Sequence, residues 1–211
     1  MTEINLHNYQ IIVDELLKKT SFQITEKVYL VDKNGHRQGP YVKKTFRAGV
    51  GLGDAYNVLY NERRSFKRHN HIPQVYFVED VNNKLIVLEE FCAGLTLDKF
   101  LKKHDFDIDL LNDLFLQLCR GSNYLHSGFQ KPIIHRDIKP TNIIVDEKTN
   151  QLKLVDFGIS RKYDEEATKD TKQFGTVGYA SPEQYGYKQT DVRSDVFSVG
   201  KVLEFMFDGK N

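Results

Sequence analysis

The sequence predicts an α+β protein folded as two lobes. Strand-like runs crowd the first ninety residues, and apolar residues at helical spacing dominate the remainder. The character changes at a joint near Glu90 and Gly94. The expected divisions are residues 1–20 as an N-terminal extension or first-strand region, 21–90 as a small lobe and 91–211 as a large one.

Each element has a local reason. Ile11, Ile12, Leu16 and Leu17 alternate with Asp14, Glu15, Lys18 and Lys19, a pattern that fits a short amphipathic helix or a strand and turn. Runs at 27–31 and 41–46 read as strands joined by the turn-rich Asp32, Lys33, Asn34 and Gly35. A helix is expected over 54–69, with Val58, Leu59 and Phe66 on one side. A strand pair follows at 74–78 and 85–88 around Asn82 and Asn83. In the second half, Thr96 caps a helix reaching Lys103, and Asp109 caps a longer one reaching Leu125. Short strands are expected at 143–145 and 152–155, then a helix over 194–207 with an apolar character all round.

The bulk properties exclude several classes. The 211 residues carry 40% hydrophobic and 28% charged side chains at a net charge of +1, which gives no overall attraction to nucleic acid or anionic membrane. The basic cluster Arg63, Arg64, Lys67 and Arg68 reads as a solvated helix face. Cys92 and Cys119 lie far apart in apolar stretches, as buried thiols in a reducing cytoplasm do. Neither zinc-ligand spacing, a signal peptide nor a bilayer-length apolar run is present. A cytoplasmic chain without a membrane segment or a nucleic-acid partner is therefore expected, and nothing in it sets an oligomeric state.

The chemistry concentrates between residues 135 and 200. His135-Arg136-Asp137-Ile138-Lys139-Pro140-Thr141-Asn142 is followed by a short hairpin and then by Asp156-Phe157-Gly158. Gly175-Thr176 and Gly178-Tyr179-Ala180-Ser181-Pro182-Glu183 come next, and Asp195-Val196-Phe197-Ser198-Val199-Gly200 closes the series. In this order and spacing the motifs resemble the protein kinase superfamily, serine/threonine type, and the wording GYASPEQ is similar to bacterial members. The resemblance spans roughly residues 25–208. It implies a bilobal protein-kinase-like fold, with an antiparallel sheet plus one helix over a mainly helical lobe that stops after its central helix.

That resemblance also implies roles. Asp137 would orient and deprotonate the substrate hydroxyl, and Lys139 would neutralise the γ-phosphate of ATP. Asn142 and Asp156 would hold Mg²⁺, with Mn²⁺ as a possible substitute. Thr176 would bond near Asp137 and Lys139, Asp195 would brace the catalytic loop, and Glu183 would await a later arginine. Arg136 would receive a phosphate from the activation segment, for which Thr168 and Thr171 are candidates, although both also read as solvated loop residues. In the small lobe Lys43 is expected to bind ATP and Glu62 to pair with it. Backbone groups of Glu90 and Cys92 would read adenine, and Glu89 would guard the pocket behind them.

Two departures qualify the pattern. Counting back from Val28, the glycine positions of the phosphate loop fall on Ser21, Gln23 and Glu26. Without glycine the backbone cannot approach phosphates freely, and Glu26 would repel them if it faced inward. Gly49-Val50-Gly51-Leu52-Gly53 follows the lysine strand and reads as a flexible loop instead. The chain also stops at Asn211, so apolar surface is expected around Val199, Leu203 and Phe207. The expectation is an active serine/threonine kinase that autophosphorylates and acts on protein hydroxyls. A catalytically silent scaffold of the same fold is the alternative.

Overall fold

The computed structural model describes residues 4–47, 52–62, 69–105, 107–162, 175–185 and 189–208. Three strands come first: β1 (Gln10–Lys19), β2 (Gln23–Val31) and β3 (Arg37–Arg47). Helix α1 (Asp54–Asn61) follows, then β4 (Val75–Val81) and β5 (Lys84–Glu90). The five strands form one antiparallel sheet in the order β1-β2-β3-β5-β4. Residues 10–19 thus resolve to a strand. Asn82 and Asn83, both at positive φ, make the two-residue turn that joins β4 to β5.

The sheet has two apolar faces. Val42, Phe46, Leu85 and Val87 point toward α1 and the second lobe, while Val28, Leu30, Phe77 and Leu88 pack with Leu6 on the other side. Because side chains alternate along a strand, a register slip of one residue exchanges these faces. Val28, which anchors the glycine count above, faces away from the second lobe. The β1–β2 connection is a tight turn at Thr20, Ser21 and Phe22, with Gln23 and Glu26 inside β2.

The second lobe begins with β6 (Leu95–Thr96) and α2 (Leu97–Lys103), followed by α3 (Ile108–Ser127). The cap of α3 is Asp107, whose Oδ1 accepts the amides of Asp109 and Leu110, so the helix starts earlier than Asp109. Strands β7 (Ile133–Ile134), β8 (Ile143–Val145), β9 (Leu152–Leu154) and β10 (Arg161–Lys162) complete two small sheets, β10-β7 and β6-β8-β9, and α4 (Val192–Asp208) follows. Leu114, Leu118 and Leu125 of α3 join Val199, Val202 and Met206 of α4 in the main core, which continues into the sheet lobe through Tyr56 and Phe157. Val199 is buried and Leu203 partly so. The apolar residues that α4 exposes are Val196, Phe197 and Phe207.

Two glycines set the geometry between lobes. Gly94, at φ +134°, sits so close to Val145 that a Cβ would fall 2.1 Å from its carbonyl oxygen, so the joint admits only glycine. Gly53, at φ +83°, precedes α1, and its amide donates to the Gly158 carbonyl at 2.8 Å. It is packed against Leu85 and Phe46 rather than free to flex, while residues 48–51 lie outside the described set.

Candidate active site

The loop between β7 and β8 carries residues 135–142 and is braced from below. Asp195, fully buried at the start of α4, accepts the Arg136 amide at 2.9 Å on one oxygen. Its other oxygen accepts the His135 amide at 2.8 Å and faces His126 Nε2 at 2.8 Å. Gln184 donates to the Arg136 carbonyl at 2.7 Å. These bonds hold Arg136 at φ +68°, a left-handed conformation that a non-glycine residue adopts only when its surroundings over-determine it.

His135 is a structural ring. Its Nδ1 accepts the Asp137 amide at 3.3 Å, so the proton sits on Nε2, which donates to the Val155 carbonyl at 3.1 Å. Burial lowers its pKa, against the pull of the carboxylates of Asp195, Asp137 and Asp156, and the ring is neutral.

Above this base, four side chains meet. Asp137 Oδ1 accepts the Thr176 hydroxyl at 2.7 Å, and Oδ2 accepts Lys139 Nζ and the Asn142 amide nitrogen, each at 2.8 Å. Lys139 also donates to Thr176 Oγ1 at 2.7 Å. The carboxylate is therefore fixed in orientation, and an ammonium stands beside it. Asn142 gives its N–H groups to the carboxylate and carbonyl of Asp137, leaving Oδ1 as an acceptor. Glu183 accepts the Ser194 hydroxyl at 2.5 Å, which ties residue 183 to α4.

The sheet side of the cleft departs from the sequence expectation. Val42, Lys44 and Phe46 share the inward face of β3, and Lys44 is the lysine that reaches Asp156, at 3.4 Å. Lys43 points outward and pairs with Glu26 at 2.7 Å, which also turns Glu26 away from the cleft. Strand alternation is the physical reason. Lys44 Nζ lies 2.8 Å from Glu89 Oε1, both side chains being 4% exposed, and donates to Tyr56 Oη of α1 at 2.6 Å. Burial opposes the charge on Lys44, but Glu89, Tyr56 and Asp156 outweigh it and hold the pKa well above the ordinary lysine value.

Glu62 does not meet either lysine. At the end of α1 it accepts the Gln130 amide at 3.2 Å and lies 3.5 Å from Lys162. Glu62 was expected to pair with Lys43; instead Glu89, on β5 opposite Val42, is the carboxylate beside the cleft lysine, Lys44.

Asp156 sits at φ +67° between two cations. Lys44 faces Oδ1, and Lys18 of β1 lies 2.9 Å from Oδ2. Burial would raise its pKa, but the two ammonium groups hold the carboxyl far below the usual range. The next residue, Phe157, is fully buried edge-on against Tyr56 and His135, with ring centroids 5.9 and 5.0 Å away. At the joint, Glu90, Phe91, Cys92 and Ala93 face Ile144, Gln151 and Lys153 across a cavity of about 240 Å³. Burial pushes the Cys92 thiol up to about 12, which disfavours its thiolate. Thr168 and Thr171 lie outside the described residues.

The family model for the protein kinase domain matches residues 27–211. The chain belongs to the protein kinase family. A putative leucine-rich repeat receptor-like serine/threonine-protein kinase of Arabidopsis thaliana is 36% identical to this kinase over 133 residues, covering 61% of this chain and 15% of the relative. The cysteine-rich receptor-like protein kinase 37 of the same plant is 34% identical over 176 residues, covering 80% and 27%. The chain spans less than a third of the length of these relatives. No described helix of the kinase is long and apolar enough to cross a membrane.

Sequence reasoning missed Lys44, Tyr56 and Lys18 as cleft residues. For Lys44 the signal was present: the apolar pair Val42 and Phe46 brackets it at period two. For Tyr56 and Lys18 none was: Tyr56 meets Lys44 only because α1 packs on β3, and Lys18 meets Asp156 across 138 residues.

Proposed function

We propose that this kinase transfers the γ-phosphate of ATP to serine or threonine hydroxyls of proteins, itself included. The observation that carries the proposal is the grouping of Lys139, Asn142 and Thr176 around one carboxylate, Asp137, in the same cleft as Asp156. The substrate oxygen attacks the γ-phosphorus as the bond to the bridging oxygen of ADP breaks, and the hydroxyl proton passes to Asp137. Lys139 stands where it would offset charge on the transferred group. The hydrogen bonds among Thr176, Lys139 and Asp137 support a serine/threonine preference, and GYASPEQ supports a bacterial-type affinity.

The residues present suit Mg²⁺. A carboxylate of Asp156 and the uncommitted Oδ1 of Asn142 are hard oxygen donors, and substrate phosphates complete such sites. When bound, the ion neutralises phosphate charge. On the sheet side Lys44 would contact the nucleotide phosphates, while the backbone of Glu90 and Cys92 would hold the base. The free thiols of Cys92 and Cys119 support a reducing, cytoplasmic setting.

The test is intact mass after incubation with Mg-ATP and, separately, with a generic serine/threonine protein substrate. Gain of one or more phosphates by either protein, abolished in Asp137→Asn and Asp156→Ala, is the expected result. Absence of transfer to both, with nucleotide binding retained, would favour the catalytically silent reading instead.

A further inference from the structure

Among the described residues, the turn that faces the phosphate side of the cleft has most of its backbone donors occupied. Phosphate-binding turns work by pointing free amides at the anion. In the β1–β2 turn those amides are already engaged. Phe22 and Gln23 donate theirs to Thr20 Oγ1 at 3.3 and 3.0 Å, and Thr20 donates its own to the Gln23 carbonyl at 2.8 Å. With three of the turn's amides turned inward on itself, cation must come from a side chain.

One side chain is delivered there by a distortion of the strand. The pairing of β1 with β2 shifts twice: once between Val13 and Glu15, after which Leu16 lies opposite Glu26, and again at Leu17, so that Lys18 lies opposite Thr25. Glu26 belongs to the outward face, paired with Lys43. Without the extra residue at Leu17, Lys18 would oppose Ile24 and share that outward face. A bulge re-aims the side chains that follow it. The result is a row of three across the sheet, Lys18, Thr25 and Lys44, all on the cleft side. Its two lysines converge on the two oxygens of Asp156.

We propose that Lys18 is a nucleotide-phosphate ligand, a second cation that substitutes for the engaged amides of the β1–β2 turn. This rests on the reading of the cleft as an ATP site. Lys44 is locked between Glu89, Tyr56 and Asp156, whereas the Lys18 side chain is 47% exposed and has only Asp156 as a described ion-pair partner. A lysine is a point charge on a flexible four-carbon stem, so its ammonium can leave one anion for another nearby. A metal ion held by Asp156 would weaken that carboxylate's attraction for Lys18 and leave the ammonium available to nucleotide phosphates.

Equilibrium binding of ATP, ADP and adenosine, followed by displacement of a fluorescent ATP analogue, tests this without any turnover. Lys18→Gln should weaken ATP and ADP binding about tenfold or more, as loss of a charge-assisted hydrogen bond does. Adenosine affinity should not change, and Lys18→Arg should recover most of the loss. Lys18→Gln also takes one of two cations from Asp156, so its melting temperature should fall somewhat while Lys18→Arg keeps that of the wild type, and binding is compared at a temperature where all three are folded. Unchanged ATP affinity in Lys18→Gln, with wild-type binding intact, overturns the proposal. Tighter binding also overturns it, because the lysine would then be a plug on Asp156. Failure of the wild type to bind any of the three removes the ATP site itself, a different result from either.

Discussion

On the large-lobe side of the cleft, Asp137 receives Lys139, Asn142 and Thr176, three donors drawn from residues 139–176 and held at 2.7–2.8 Å. On the sheet side, Lys44 takes its carboxylate from Glu89 on the neighbouring strand and leaves Glu62 of α1 facing Gln130 and Lys162. The first wall takes two of its donors from the loop that carries Asp137 and the third, Thr176, from a separate motif, so most of its geometry follows from local spacing. The second is assembled across strands, where one residue of register decides which side chain enters. A loop motif can therefore be intact while the partners across the cleft are redistributed.

The largest expected effect tests the loop wall. Asp137→Asn keeps the shape of the side chain but removes its charge and its capacity to take a proton. Phosphate transfer, measured as initial rate, should fall by about 10²–10⁴-fold. A loss smaller than tenfold would mean that this carboxylate does not handle the substrate proton.

The sheet wall is broken by comparing adjacent lysines. Lys44→Met strands the Glu89 carboxylate, 4% exposed, without its cation, and unfolding should become easier by about 3–5 kcal/mol. Lys43→Met removes a partly exposed pair with Glu26, and should cost about 0–1 kcal/mol. Transfer should drop by about 10²-fold in the first variant and stay within about threefold in the second. Denaturant melts and initial rates on the two proteins check both halves, and equal losses would contradict the assignment of Lys44.

A double-mutant cycle sharpens the same contrast. Lys44→Met combined with Glu89→Gln should show a coupling of about 0.5–3 kcal/mol, because the two groups touch. Combined with Glu62→Gln, coupling should fall within about 0.5 kcal/mol, as expected of residues that share no partner. Coupling to Glu62 as large as that to Glu89 would put α1 back beside the lysine.

How much of this was legible follows from the range of each contact. The loop at 135–142, Asp156, Thr176 and Asp195 could be picked out as candidates because each sits in a motif whose spacing is carried by consecutive residues. The two lobes were readable from the change of periodicity near Glu90. Lys43 and Lys44 were separable only by asking which one shares a face with the buried Val42 and Phe46, and the resemblance of Val42-Lys43 to the family pattern gave the wrong lysine. Glu89 was visible as an unusual acidic residue behind the joint, but its pairing with Lys44 depends on β3 and β5 being neighbours. Lys18 depends on a bulge, which leaves no mark in composition or spacing.

His135 gives the smallest and most selective test, and it concerns the base on which the loop wall stands. The buried ring is neutral, and burial lowers its pKa below the ordinary value near 6.5. As pH falls from about 6.5, the unfolded chain therefore takes up a proton that the folded one refuses. Stability must decline, by at most about 1.4 kcal/mol per pH unit for one such group. His69, whose pKa burial also lowers with help from His71 and Lys153, contributes in the same sense and remains in any His135 variant. His135→Phe gives up the bonds to Val155 and Asp137, and should lower stability at pH 7.5 by about 1–3 kcal/mol. Its decline between pH 6.5 and 5.5 should nevertheless be shallower than that of the wild type. Parallel slopes in denaturant melts across that interval would show that the ring accepts a proton within the fold, and that the brace beneath Asp137 survives a charged imidazole.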